Sequence, residues 1–385
     1  MTMGRGQKMN GKMMTRCSTC DSQLHVQPGS KKVWCSTCGS CTRVRMRDRA
    51  RRAITWLKGF VNAVANPNSS YINGTPQPSF QRTNGSSHLG RLPSFPSAHG
   101  SKRALLCGVS YRSRSYELQG TINDVMCMKY LLCQKFGFPE DCILMLTEDE
   151  SDPSRWPTKQ NIRMAMRWLV QDCHAGDSLV FHFSGHGSQQ PDYNGDEIDG
   201  YDETLCPLDF ETAGTIVDDE INETIVRNLH HGVRLHAIID ACHSGTALDL
   251  PYVWKIGRSG LYELQNQHSS LPAAAEKGTS GGEAWSFCSC DDHQTSADTS
   301  AFTGNTMTGA MTYSFIHAIE NKGAGATYGS LMHSIQWAIR NANLGIQGSG
   351  PISSLLKRVF GNGLAQEPLL SSSEPFDIYQ KPFYL

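Results

Sequence analysis

Two short strings in this 385-residue chain could do nucleophilic chemistry. Ser184-Gly185-His186-Gly187 and Asp240-Ala241-Cys242-His243-Ser244-Gly245 each follow an apolar run, Ser178 to Phe183 and Leu235 to Ile239. The thiolate is the nucleophile of cysteine chemistry, and a nearby imidazole can take the thiol's proton and later give one to a leaving amine. Cys242 and His186 are therefore a candidate dyad. The small residues around them suit backbone N–H donation to an oxyanion, from Gly187 and Cys242. Taken alone, a cysteine at a strand end is more often inert core than nucleophile; the histidine string makes the difference here.

The positioning elements read as an α/β pattern. Near-continuous apolar runs of strand length mark buried parallel strands, at Ala104 to Val109, Cys142 to Leu146, Leu179 to Phe183, Leu235 to Ile239 and Trp285 to Ser289. Helical patterns fall near 122–136, 159–172, 219–229, 312–321 and 328–342. That alternation predicts a parallel-rich sheet with helices on both faces. Ligand sites of such sheets lie at the carboxyl ends of the strands, where both strings fall.

A histidine about fifty residues upstream of a cysteine is the caspase arrangement, although caspases carry Gln-Ala-Cys where this chain has Asp-Ala-Cys. His186 in Ser-Gly-His-Gly, Cys242 in Asp-Ala-Cys-His-Ser-Gly and the upstream Leu118-Gln-Gly-Thr-Ile-Asn-Asp124 together resemble the metacaspases, caspase-like cysteine peptidases. The resemblance spans roughly residues 100 to 385. It implies the caspase-hemoglobinase fold, a monomer, and cleavage of protein substrates after Arg or Lys. Asp124 and Asp240 match the family's acidic pocket positions and Ser184 a neighbouring polar one. Carboxylates are what a guanidinium or ammonium needs, because an unpaired buried cation is expensive. Asp240 stands two residues before Cys242, on the same face of an extended strand, whereas Asp124 could instead cap a helix. Thr121 stands where many members carry a second cysteine.

Between Asp192 and Glu220 lies a run of acidic residues broken by Gly195, Gly200 and Gly214. Its spacing is not that of an EF-hand, but carboxylates gathered on loops suit calcium. The resemblance places a calcium site on Asp202, Asp218, Asp219 and Asp249 and so implies calcium activation. The alternative is a solvated acidic loop with Asp218 as the N-cap of the following helix.

The N-terminal region differs in kind. Cys17-Ser-Thr-Cys20 and Cys35-Ser-Thr-Cys38 are paired Cys-x-x-Cys knuckles, the pattern of a tetrahedral thiolate zinc site in a segment too small to fold without metal. The finger resembles that of plant cell-death regulators and of type I metacaspases, with Asp21 in place of the usual arginine and a fifth thiol at Cys41. A basic run from Arg43 to Arg52 follows, then Ile54, Leu57, Val61 and Val64 at helical spacing. The expected organisation is a prodomain over 1–65 with its finger at 17–41, and a disordered linker rich in Asn, Ser, Pro and Gly over 66–100. A large catalytic segment then covers 101–253, a processing linker 254–283 and a small catalytic segment 284–385. Lys255, Arg258 and Lys277 are the self-processing candidates, since the acidic pocket selects their residue type.

A net charge of −1 argues neither for nor against a polyanionic partner. Fourteen cysteines in so long a chain are not a disulfide scaffold. No apolar stretch reaches membrane-spanning length, and Met1 to Arg16 lacks the apolar core of a signal peptide. Reduced thiols are expected, in the cytoplasm with the nucleus as a further location. The expected activity is a calcium-activated, self-processing endopeptidase linked to programmed cell death or stress proteostasis. The alternative is a zinc-finger scaffold, catalytically weak, that binds proteins through the finger.

Overall fold

The computed structural model describes residues 13–16, 19–20, 22–26, 32–35, 37–38 and 40–43 of a first unit, Met1–Trp56. In the second, Leu57–Leu385, it describes 95–195, 197, 200–241, 245–267, 277–288, 298–299, 308–322, 325–345 and 367–385. The first unit holds two antiparallel hairpins, β1 (Met13–Arg16) with β2 (Gln23–Val26) and β3 (Lys32–Trp34) with β4 (Cys41–Arg43). The basic run and the amphipathic segment after Arg43 lie outside the described residues.

The second unit is built on an eight-stranded sheet. Five of its strands are parallel neighbours: β5 (Lys102–Gly108), β6 (Ile143–Thr147), β7 (Ser178–Ser184), β11 (Arg234–Asp240) and β14 (Glu283–Cys288), in the order β6-β5-β7-β11-β14. All five expected strands are present, their bounds shifted by one or two residues. Between β7 and β11 the chain makes a separate three-stranded sheet of β8 (Gly187–Pro191), β9 (Tyr201–Leu205) and β10 (Ile216–Val217). The main sheet continues past β14 through the antiparallel β17 (Leu369–Ser372) to β12 (Tyr252–Ile256) and β13 (Tyr262–Asn266).

Strand alternation sorts the side chains onto two faces. Leu179, Phe181 and Phe183 of β7 join one cluster with Leu105, Leu235, Ile239 and with Ile162, Met166 and Leu169 of helix Lys159–Val170. On β14, Phe287 packs edge-on against Phe315 of helix Ala310–Lys322, with ring centroids 5.2 Å apart. In chain order the longer helices are α1 (Thr121–Phe136), α2 (Lys159–Val170), α3 (Ala310–Lys322) and α4 (Tyr328–Gly345). Thr158 caps α2 by accepting from the Asn161 amide, and Gly137, at φ 69°, closes α1 with its N–H on the Leu132 carbonyl.

Several expectations need correction. The span 219–229 is a short helix, Asp218–Ile221, followed by a π-turn, Asn222–Val226. The last residues of the supposed disordered linker are seated on the core: Phe95 and Ala98 pack against it, and the Trp168 indole donates to the Pro96 carbonyl at 2.8 Å. The processing linker opens with the β12–β13 hairpin, which adds two strands to the sheet. Trp254, its first residue, is apolar and buried in β12, so it belongs to the core. No helix among the described residues is long and apolar enough to cross a membrane.

Candidate active site

Register sets the dyad. Ser184, the last residue of β7, pairs with Gly108 on one side and Asp240, the last residue of β11, on the other. His186 follows two residues after the end of β7, and in sequence Cys242 follows two residues after the end of β11, the neighbouring parallel strand. The Gly185 amide ties the strand ends by donating to the Asp240 carbonyl at 3.2 Å. Cys242 lies outside the described residues.

His186 is held from several directions. Its Nε2 is 2.8 Å from the Tyr116 carbonyl. A carbonyl only accepts, so Nε2 carries the hydrogen and Nδ1 is left for proton exchange with a thiol. Its backbone N–H donates to the Tyr111 hydroxyl at 2.9 Å, and that hydroxyl donates to the Cys206 carbonyl at 2.6 Å. The Tyr111 ring lies 4.8 Å from the imidazole. Tyr111 is buried and sits at φ 52°, a left-handed conformation that bulky residues rarely adopt and that persists where the surroundings over-determine it. Neither tyrosine carries a spacing signal that sequence reading could have used. Tyr111→Phe removes the hydroxyl and keeps the ring, so kcat is expected to fall roughly ten- to a hundred-fold with KM little changed, as misplacement of a catalytic group does. An unchanged kcat would show that the hydroxyl positions nothing.

The residues that the resemblance assigns to a pocket lie near one another. Ser184 Oγ donates to Asp124 Oδ2 at 2.7 Å, and the Gly309 N–H reaches both Asp124 oxygens at 3.0 Å. The Thr312 N–H donates to Asp240 Oδ2 at 2.7 Å. A Cβ on Gly309 would come within 2.2 Å of Asp240 Oδ2 and 2.9 Å of Asp124 Oδ2, so this glycine is wedged between the two carboxylates. Both aspartates are almost wholly buried. Asp124 is the fourth residue of α1, so it is no helix cap. Gly309 and Thr312 come from the small catalytic segment and were missed in the sequence. The predicted oxyanion donor Gly187 opens β8, directly after the histidine, in register with Leu205 of β9.

The four aspartates of the calcium assignment are all described. Asp202, Asp218 and Asp249 are buried. Asp202 accepts from Gln190 Nε2 at 3.1 Å and Asp219 from Asn194 Nδ2 at 2.8 Å. Asp218 accepts from the Glu203 and Asp219 amides at 3.0 and 2.9 Å. It is the first helical residue, so the solvated N-cap alternative does not hold. Burial, and then the carboxylates of Asp249, Glu203 and Glu197, push its carboxyl well above the ordinary range. The donors are the hard, crowded oxygens that calcium takes, but they do not form a finished shell. Among the described residues, the metal-type groups whose ligand atoms all lie within 4.8 Å are Cys20, Cys35 and Cys38, and His99, Asp141 and Cys142.

In the first unit, Cys20 and Cys35 sulfurs are 3.5 Å apart. A tetrahedral zinc with bonds of about 2.3 Å sets its sulfurs about 3.8 Å apart, so the residues fit that metal. The fourth predicted ligand, Cys17, lies outside the described residues.

The three processing candidates part company. Arg258 is exposed at the turn of the β12–β13 hairpin. Lys255 is inside β12, which is paired on both sides. Lys277 is buried, its ammonium 2.7 Å from Glu197 Oε1 and 2.5 Å from Asp249 Oδ1. As placed, Lys277 is not presented to a protease.

Comparison with known proteins supplies the family. Residues 102–251 match the family described as "Metacaspase, peptidase C14 domain". The chain is 49% identical over 379 residues to Metacaspase-1 of Arabidopsis thaliana, covering 97% of this chain and 96% of that protein. It is 53% identical over 312 residues to Metacaspase-2 of the same plant, covering 75% and 74%. A solved caspase-1 of Spodoptera frugiperda aligns over 76% of this chain and 92% of its own, at 12% identity and a TM-score of 0.38. With 49% identity to a plant relative over nearly the whole chain and a matching family model, the chain belongs to the type I plant metacaspases and is a cysteine-type endopeptidase.

Proposed function

We propose that this endopeptidase cleaves after Arg or Lys, is activated by calcium and processes itself. The observation that supports the specificity is the proximity of two buried carboxylates, Asp124 and Asp240, held by Ser184 and by the Gly309 and Thr312 amides: they concentrate the negative charge that a guanidinium or ammonium needs. In the reaction, His186 Nδ1 takes the Cys242 proton and the thiolate adds to the scissile carbonyl. The Gly187 and Cys242 amides hold the oxyanion, and the imidazolium then protonates the leaving amine. Water hydrolyses the acyl-enzyme and returns the thiol. Self-processing is assigned to Arg258, the candidate at an exposed turn.

Calcium would be held by Asp202, Asp218, Asp219 and Asp249, where it would neutralise crowded carboxylates. Zinc on Cys17, Cys20, Cys35 and Cys38 would fold the finger, a docking module for protein partners. The thiols of Cys107 and Cys127, in no disulfide, accord with a reducing compartment, cytoplasm with the nucleus as a second location. The sheet edge β13 exposes Glu263, Gln265 and Asn266 together with Leu264, and a charged residue on the edge fits a monomer. The biological setting that fits is programmed cell death or stress proteostasis.

A peptide library cleaved with calcium titrated tests the reading. Cleavage confined to Arg and Lys at P1 and lost in chelator is expected. Cleavage after acidic or apolar residues would sink the pocket assignment, and full activity in chelator the calcium one.

A further inference from the structure

The acidic cluster already contains a cation. Lys277 is 4% exposed, and its ammonium pairs with Asp249 and Glu197. Burial works against its charge, but the Asp249 and Glu197 carboxylates outweigh that and hold it protonated. Its backbone is fastened too. The buried Asn222 amide donates to the carbonyls of Leu248, Asp249 and Lys277 at 2.9, 3.0 and 3.3 Å. One side chain thus bolts Lys277, in the expected processing linker, to the Leu248–Asp249 turn. Asp249 is held at φ 49° in that loop.

We propose that Lys277 is a tethered cation filling the acidic site of the resting chain, and that calcium binds there by displacing it and releasing the chain around Lys277. The proposal rests on the calcium reading above. An ammonium is a point charge with three donors, whereas calcium carries twice the charge and collects six to eight oxygens. Exchange therefore draws in carboxylates that the lysine leaves apart, which accounts for a four-aspartate set without a finished shell. It also explains how a buried lysine can become a residue of the type this enzyme cuts.

The test uses the full chain with Cys242→Ala, so that no self-cleavage intervenes. Calorimetric titration with calcium is compared between this protein and the same protein carrying Lys277→Met. Removing the competitor is expected to tighten calcium at least tenfold. In parallel, the Cys242→Ala protein is treated briefly with a lysyl endopeptidase, and the new terminus at Gly278 is followed by mass spectrometry. It is expected to appear with calcium and to be absent in chelator. This second measurement decides the matter if Lys277→Met fails to fold. Equal calcium affinity with and without the lysine, or protection of the Lys277 bond in both conditions, overturns the exchange while leaving the calcium reading intact. No calcium binding by either protein overturns the calcium reading itself.

Discussion

Asp240→Asn is expected to lower kcat/KM on Arg peptides by roughly 30- to several-thousand-fold, the equivalent of the 2–5 kcal/mol that follows when one partner of a buried, hydrogen-bonded charge pair is removed. The carboxylate is buried and accepts the Thr312 amide at 2.7 Å, so it is fixed before substrate arrives and cannot be replaced by water. Asparagine keeps its shape and can still accept that amide, so the fold should survive. What is lost is the charge opposite the P1 cation. Asp124→Asn should act in the same direction. The double variant should lose less than the sum of the two, because both groups face Gly309 and would hold one substrate cation. Iodoacetamide labelling of Cys242 serves as the fold control, being indifferent to a basic P1 residue. Retained labelling with unimpaired Arg cleavage in Asp240→Asn would overturn the pocket assignment.

Acid is expected to unfold the catalytic unit steeply below pH 6.5, driven by two buried histidines. Burial pushes His182 down to about 4 and His236 down to about 3. His182 Nδ1 donates to the Ile238 carbonyl, and His236 lies stacked on Trp285, 4.7 Å between centroids, with Nε2 at 2.6 Å from the Tyr328 hydroxyl. Both are neutral when folded, and a free histidine titrates near 6.5. Between those values the unfolded chain binds more protons than the folded one, so stability is complete above pH 6.5 and falls as pH drops towards 4 and 3. At about 1.4 kcal/mol per pH unit, each histidine contributes on the order of 3 kcal/mol, a large part of a typical domain's stability. Asp218 titrates with the opposite sign, because its carboxyl is raised in the fold. The informative measurement is therefore the difference in urea stability between wild type and His236→Gln across pH 4–7. The variant's slope should be shallower by about one proton; parallel slopes would show that His236 is not the group.

The resemblance carried the site positions because its determinants are local. Strand runs rich in apolar residues declare themselves, and the short strings fall where those runs end. Spacing along a strand put Asp240 on the same face as Cys242. Gly309 and Thr312 were invisible because they reach the pocket from about seventy residues beyond Asp240, through turns whose amides carry no sequence signature. The β12–β13 hairpin was read as linker because its Gly, Ser and Gln content resembles one, yet Trp254 is buried core.

By itself the sequence determined the parallel-rich α/β architecture and the family, because apolar strand runs and short motif strings are local; the candidate dyad was read from those strings, and the acidic pocket came only as what the resemblance implies. Tertiary structure alone decided which groups meet. It set Tyr111 and Tyr116 around His186, seated Gly309 between the Asp124 and Asp240 carboxylates and sank Lys277 against Asp249 and Glu197. The reason is physical: residue type and spacing define what a group can do, but burial and the identity of its neighbours are fixed only when distant segments close on one another. A lysine that looked like an exposed cleavage site is, in the folded chain, a counter-ion.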